Sequence, residues 1–465
     1  MSTVNSICIF GGGSAGWLTA LRLAHKFNFK LYVIQSPHHP NIGVGESTQP
    51  NLRQLVNDCG ISLDDFMKHT DATLKHGIYY TDWNGANDFY WHPFTDLSLS
   101  GFYTTAHHYQ ILKTRDPENF PARNYYKHVH PSYTLAVENN LGSATGVYAL
   151  HVDADKMAQY LRAHLKSRIT LLEPNNIEIE HDDKQILSIQ CDGTKVVADL
   201  YIDCSGFSKK LSTAIHNTEL DDYVGNVNAA IFARKSYQDK QKEKFPYTRA
   251  SALKNGWAWT IPLESRIGTG YAYNSDFVDH ETALQEFSEY WNHEPFDITT
   301  GKISFSSRSL KNPWTSNVLN IGLSSGFIEP LEATSIAWFL MSGEVLGALL
   351  LHRYYDQETA ARYNAVVRQY IEDVQDFIDV HYMLSKRRDS EYWKHQVVKE
   401  RSARLLARLD GYRKNMPNKN NRNGHLAWAF NDISWIDILN GYDFKYENLN
   451  CDHQLFRQRQ RELYL

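Results

Sequence analysis

Ser6-Ile7-Cys8-Ile9-Phe10-Gly11-Gly12-Gly13-Ser14-Ala15-Gly16 carries the first architectural signal of the chain. A short apolar run ends in glycines, and an amphipathic helix follows through roughly His25. Lys30 to Ile34 then reads as a second strand, which completes the opening of a dinucleotide-binding βαβ unit. Gly11, Gly13 and Gly16 fit G-x-G-x-x-G: a tight turn, close backbone approach to a pyrophosphate, and close helix packing. The helix start after them, at Ser14 and Ala15, offers free amides and the positive end of a helix dipole to an anion. The second strand ends in Gln35-Ser36, where such units commonly carry an acid for the ribose hydroxyls. Gln35 still hydrogen-bonds but without charge assistance, so a loosely held cofactor is expected.

The chain has 465 residues, enough for one large domain or two to three smaller ones. Lys plus Arg (48) against Asp plus Glu (53) leaves a net charge of -5, which gives no footprint for nucleic acid. The five cysteines are scattered, with no C-x-x-C pair, and read as reduced residues of a cytoplasmic protein. No Lys or Arg precedes the first apolar run, so no secretory leader is expected. The apolar stretch 336–351 is interrupted by Ser342, Gly343 and Glu344 and reads as too short to span a membrane. The histidines, His107-His108 included, show no metal-ligand spacing.

Gly43-Val44-Gly45-Glu46-Ser47-Thr48-Gln49-Pro50 reads as a loop with a proline stop. His151-Val152-Asp153-Ala154-Asp155 precedes a helix to about Leu165, and 197–202 is a strand entering Asp203-Cys204-Ser205-Gly206-Phe207. Residues 236–322 alternate strands and turns, which predicts an antiparallel sheet covering the site. Within them, Trp257-Ala258-Trp259-Thr260-Ile261-Pro262 puts both indoles on one face of an extended segment, which Pro262 ends. By composition alone that face is as readily a packed core as a signature. The last third turns helical, over about 358–385 and 392–409.

Taken together, W-x-W-x-I-P, the G-V-G-E-S-T loop, the Gly326-Phe327-Ile328-Glu329-Pro330-Leu331-Glu332 segment and the glycine-rich opening resemble the flavin-dependent halogenases typified by the tryptophan halogenases. The resemblance runs from Ile9 to about Trp393 in family order and fades after about Arg401. It implies an α/β protein with an FAD-binding Rossmann-like fold of the flavin monooxygenase type, an antiparallel sheet at the substrate region and a helical C-terminal part. The corresponding division is 1–350 for the FAD-binding part with its inserted sheet, and 351–465 for the helical substrate side.

The resemblance also assigns residues. FAD, received as FADH2 from a separate flavin reductase, would be held by Gly11, Gly13, Ser14, Ala15, Gly16, Gln35, Gly45, Glu46, Ser47, Gly326 and Phe327. Halide would lie on the backbone amides of Thr334 and Ser335, at a helix start capped by one of those two residues. Ala333 and Ser335 depart from the E-S-T-G form of the tryptophan halogenases. Reduced flavin, O2 and halide would yield hypohalous acid that travels to Lys75. There an ammonium would polarise it by a hydrogen bond, or a neutral amine would be halogenated; desolvation favours the second. Glu332 would orient the halogenating species or take the proton released as the ring rearomatises. His92 and Phe94 would line the pocket of a small aromatic substrate, indole- or phenol-like, and Trp257 and Trp259 would wall it off from the flavin. Trp428, Phe430 and Trp435 are candidates to close that pocket, and the oligomeric state, a homo-oligomer included, is left open.

Two other readings stand beside this one. A flavin-dependent hydroxylase on the same fold would have no use for Lys75. Gly322-Leu323-Ser324-Ser325-Gly326 fits G-x-S-x-G, with Asp376 and His381 following in the order of a hydrolase triad. Pro330 argues against that elbow, because a nucleophile turn should enter its helix at once.

Overall fold

The computed structural model describes residues 2–37, 45–94, 102–299, 302–417 and 429–449. Gly43, Val44 and Trp428 lie outside the described residues. A six-stranded sheet has the order Trp314–Thr315, Val318–Asn320, Leu200–Asp203, Ser6–Phe10, Lys30–Ile34, Thr170–Leu172. All pairings are parallel except the outer one of Trp314–Thr315 with Val318–Asn320. Helix Ser14–Lys26 connects the paired strands Ser6–Phe10 and Lys30–Ile34, as expected of a doubly wound α/β unit. It packs against helices Thr334–Leu349 and Ala154–Leu165. The turn into it is crowded at Gly11, Gly12 and Gly16, while Gly13 faces open space. Gly11 has φ +126°, and a Cβ on Gly16 would stand 2.0 Å from the Gly11 carbonyl oxygen.

The second sheet runs Ile298–Thr299, Ala229–Lys235, Ile267–Tyr273, Gly256–Pro262, Thr248–Leu253, Gly77–Thr81, Phe89–Pro93. The expected antiparallel sheet is therefore present, but its bounds differ from 236–322. It begins at Ala229 and recruits two strands from far upstream, with Gly77–Thr81 lying parallel to Thr248–Leu253. Val318–Asn320 leaves it for the first sheet, where a wholly buried strand belongs. A helix, His280–Tyr290, interrupts it; Asp279 caps that helix by accepting from the Thr282 amide.

A small third sheet matters more for the site. Ala149–Val152 pairs with Glu46–Ser47 on one side and with Thr73–Lys75 on the other. Pro50 does not end an element here. It opens the helix Pro50–Asp58, because a first helical residue has no use for its N–H.

The C-terminal part is helical as expected, with Gln357–Met383 its longest member. The single helix expected over 392–409 is two, Glu391–Val398 and Ala403–Lys414, separated where Ser402 accepts from the Leu405 amide. Thr334–Leu349 continues through a 3-10 turn to His352, giving 19 residues with a mean hydropathy of 1.6. That run is long and apolar enough to cross a membrane, contrary to the sequence expectation, yet it lies mostly buried among the protein's own helices. One continuous core joins both large sheets to these helices.

The W-x-W strand is Gly256–Pro262, buried throughout. Its indoles share a face with ring centroids 5.8 Å apart, and Trp259 lies directly over its cross-strand partner Gly270. A Cβ on Gly270 would meet the Trp259 ring at 2.2 Å. Gly270→Ala is therefore expected to displace that indole and to cost about 1–3 kcal/mol. Urea unfolding measures the cost, and the fluorescence of the folded variant reports the indole's displacement.

Candidate active site

Lys75 ends its strand fully buried, and its Nζ donates to the Thr48 carbonyl at 2.8 Å. Thr48 is itself fixed, because its amide and hydroxyl both donate to the Leu150 carbonyl, at 3.1 Å and 2.7 Å. The third sheet thus clamps the lysine and the Glu46–Ser47 segment together. The Phe94 ring lies 5.0 Å from the ammonium nitrogen. Burial pulls the lysine pKa down from 10.5 to about 7, and the charge of Glu332 opposes that fall. His151, on the same sheet, is held neutral by its own burial and by the Lys75 charge.

Glu332 is buried at the end of the loop that enters helix Thr334–Leu349. Its Oε1 accepts from Tyr80 Oη at 2.6 Å, and its Oε2 lies 2.7 Å from His92 Nδ1. His381 Nε2 stands 3.0 Å from Oε1 as a charge contact without hydrogen-bond alignment. Burial would raise the pKa of this carboxyl, but His92, through its charge when protonated and its hydrogen bond, together with the nearby His381, outweighs it. Glu332 is therefore held well below the usual carboxylate range and stays ionised. The expected helix cap is not Thr334 or Ser335. Ala333 occupies that position in the left-handed region, φ +56°, and no side chain caps the first turn. The amides of Thr334 and Ser335 therefore stand at an uncapped helix start.

His92 belongs to the strand Phe89–Pro93 and lies 5.3 Å from the Phe377 ring and 5.9 Å from that of Phe430. Phe430 stacks on Phe377 at 3.8 Å, and Trp435 meets Phe377 edge-on at 5.0 Å. Two of the candidate pocket residues, Phe430 and Trp435, thus form one aromatic wall with His92. Sequence reasoning missed Tyr80 and Phe377. It counted His381-Tyr382 among the family-like segments but gave His381 a role only in a hydrolase triad, which the structure takes apart. Ser324 donates to the Asp203 and Ile321 carbonyls, Asp376 is held by Arg404 and Ser402, and His381 contacts Glu332. The available signal was the spacing of Phe377 and His381, one helical turn apart.

At the dinucleotide end, Gly13 precedes the helix without a side-chain cap, and Ala15 packs against Gly322. Gln35 Nε2 donates at 2.8 Å to Glu173, which Arg162 grips with both guanidinium nitrogens. Gln35 thus stands beside an acid that follows the neighbouring strand, which ends at Leu172. Ser47 Oγ lies 2.7 Å from Thr248 Oγ1, and Gly45 packs against Ile261 of the W-x-W strand. Gly326 turns against Ser309, and the Phe327 ring meets Phe305 at 4.8 Å. These residues suit a bound dinucleotide. Gly13 faces open space at the mouth of the turn, the helix amides have no side-chain cap, and the buried Trp257 indole N–H has no acceptor among the described residues.

The lowered pKa of Lys75 is also a statement about stability. Between pH 7 and 10.5 the unfolded chain holds a proton that the folded chain has released, so stability rises with pH across that window. The penalty is complete below pH 7 and relieved above 10.5. Lys75→Met is therefore expected to stabilise the fold at pH 6 by on the order of a few kcal/mol, and by less at pH 9. Urea unfolding at the two pH values checks both the sign and the trend.

The chain matches the family described as Tryptophan halogenase over residues 6–451. It is 29% identical to Tryptophan 7-halogenase RebH of Lentzea aerocolonigenes over 439 residues, 89% of this chain and 82% of that one. Its fold superposes on BrvH, a flavin-dependent halogenase from Brevundimonas sp. BAL3, with a TM-score of 0.85. That likeness covers 99% of this chain and 95% of the other at 28% identity. Tryptophan 6-halogenase SttH of Streptomyces toxytricini is similar at a TM-score of 0.86 and 26% identity, over 99% and 97% of the two chains. Matched by the family over nearly its whole length, and with Lys75 and Glu332 both buried, this chain belongs to the tryptophan halogenase family of flavin-dependent halogenases.

Proposed function

We propose that this protein halogenates an electron-rich aromatic compound, indole- or phenol-like, using FADH2 delivered by a separate flavin reductase. The observation that carries the reading is the pair Lys75 and Glu332. Burial drives the lysine toward neutrality, while a net of hydrogen bonds keeps the carboxylate charged. Reduced FAD, when bound, supplies with O2 the oxidising equivalent that turns halide into hypohalous acid. Gly11, Gly13, Ser14, Ala15 and Gly16 would hold its pyrophosphate, Gln35 the ribose side, and Gly45, Glu46, Ser47, Gly326 and Phe327 the rest. The uncapped amides of Thr334 and Ser335 suit a halide.

Lys75 receives the hypohalous acid in this reading. A pKa of about 7 leaves ammonium and amine both populated near neutral pH, so polarisation and N-halogenation are both open to it. Glu332 balances the ammonium without touching it, since the described residues include no ion pair between the two. Trp257 and Trp259 would keep the organic substrate away from the flavin, and His92 and Phe94 would line its pocket. The chain divides in the same reading into 1–350 for flavin and 351–465 for the substrate side.

The enzyme, supplied with a flavin reductase, NADH, FAD, oxygen and bromide, is expected to give monobrominated indole or phenol by mass spectrometry. Lys75→Ala should lower that product about 100-fold or more while the protein stays folded. A Lys75→Ala enzyme that kept full product formation, or a hydroxylated product in place of the brominated one, would sink the halogenase reading.

A further inference from the structure

We propose that His92, backed by Glu332, takes the proton that leaves the halogenated ring. This rests on the halogenase reading and concerns its last chemical step. The Glu332 carboxylate is sealed: Tyr80 occupies Oε1, His381 stands against the same oxygen, and His92 Nδ1 occupies Oε2. Of these residues, His92 is the one whose ring lies within 6 Å of both Phe377 and Phe430. With Nδ1 committed to the carboxylate, the neutral imidazole carries its hydrogen there and keeps its lone pair on Nε2. Among the described residues Nε2 has no partner.

The chemistry favours this placement. Once halogen has added, the carbon that bears it is tetrahedral, and its hydrogen points out of the ring plane. A base must therefore meet a face of the ring. An imidazole in an aromatic wall lies along such a face, whereas a carboxylate enclosed by a tyrosine and two histidines does not.

The step balances as follows. With hypohalous acid hydrogen-bonded to the Lys75 ammonium, a ring electron pair forms the carbon–halogen bond as the oxygen–halogen bond breaks. Hydroxide leaves as water with the lysine proton. The C–H bond then breaks, its pair restores the aromatic ring, and the proton goes to His92 Nε2. The imidazolium so formed faces the ionised Glu332, the arrangement in which a buried carboxylate supports a histidine base. Return of that proton to Lys75 resets the site, and the sum is ArH plus HOX giving ArX plus water.

His92→Gln keeps a donor for Glu332 but removes the basic nitrogen, and His92→Ala leaves room for added imidazole. The substrate is whichever of indole and phenol the wild-type enzyme brominates, compared with its perdeuterated form. Wild type should turn over both forms at the same rate. His92→Gln should fall about 100-fold and run at least roughly twofold slower on the deuterated form, because proton removal has become limiting. Imidazole should restore part of the activity of His92→Ala. Wild-type rates in His92→Gln would overturn the proposal. So would slow variants with no isotope effect and no rescue, or an isotope effect confined to Glu332→Gln, which would make the carboxylate itself the base. Brominated product from wild type in those cases leaves the halogenase reading standing; no such product overturns both.

Discussion

A lysine side chain buried without a carboxylate in contact is the constraint around which this protein is arranged. Removing a cation from water is expensive unless a charge or strong acceptors compensate it. Lys75 has the Thr48 carbonyl and the edge of the Glu332 field, and its pKa falls accordingly. Holding that carbonyl in place requires the third sheet, in which Ala149–Val152 bridges the Glu46–Ser47 segment and the lysine's strand. The dinucleotide end of the fold and the reacting end are joined through those few residues.

The two acid–base groups are pushed in opposite directions by different physics. Desolvation dominates at Lys75 and favours the neutral form. At Glu332 the same desolvation is outweighed by two imidazoles, with a tyrosine hydroxyl donating to the carboxylate, and the charged form persists. A site in which a neutral amine and an anion coexist near pH 7 suits electrophilic halogen transfer, because the amine is nucleophilic and the anion stabilises cationic intermediates. His92, Phe377, Phe430 and Trp435 form an aromatic wall beside that carboxylate, a surface that would suit a flat substrate in the proposed reading. Trp259 is set in its place over Gly270, so its position depends on the absence of one side chain.

Local signals in the chain were legible and long-range ones were not. The glycine turn, the helix after it and the two strands around it follow from apolar periodicity and from the space each glycine must leave. The W-x-W strand was equally plain. The pairing of Gly77–Thr81 with Thr248–Leu253 was not, because nothing local to either strand encodes a partner so distant in sequence. Lys75 taken alone reads as a surface charge; the family resemblance singled it out, and only the tertiary structure buries it. Tyr80 and His381 converge on the same oxygen of Glu332 from a strand and a helix far apart in the chain, a convergence with no sequence period. The missing acid after Ile34 is an instructive case, since Gln35 stands beside the carboxylate of Glu173, which follows the neighbouring strand.

The most direct test of the account is the titration of the Lys75 amine itself. Protein with isotope-labelled lysine side chains, with Lys75→Arg to assign the signal, would be followed by NMR as pH is varied. The expected midpoint for Lys75 is near 7, far below the ordinary 10.5 of a lysine side chain. A Lys75 midpoint at or above 10 would contradict it, because the site would then hold a permanent ammonium and the burial argued here would not govern its chemistry.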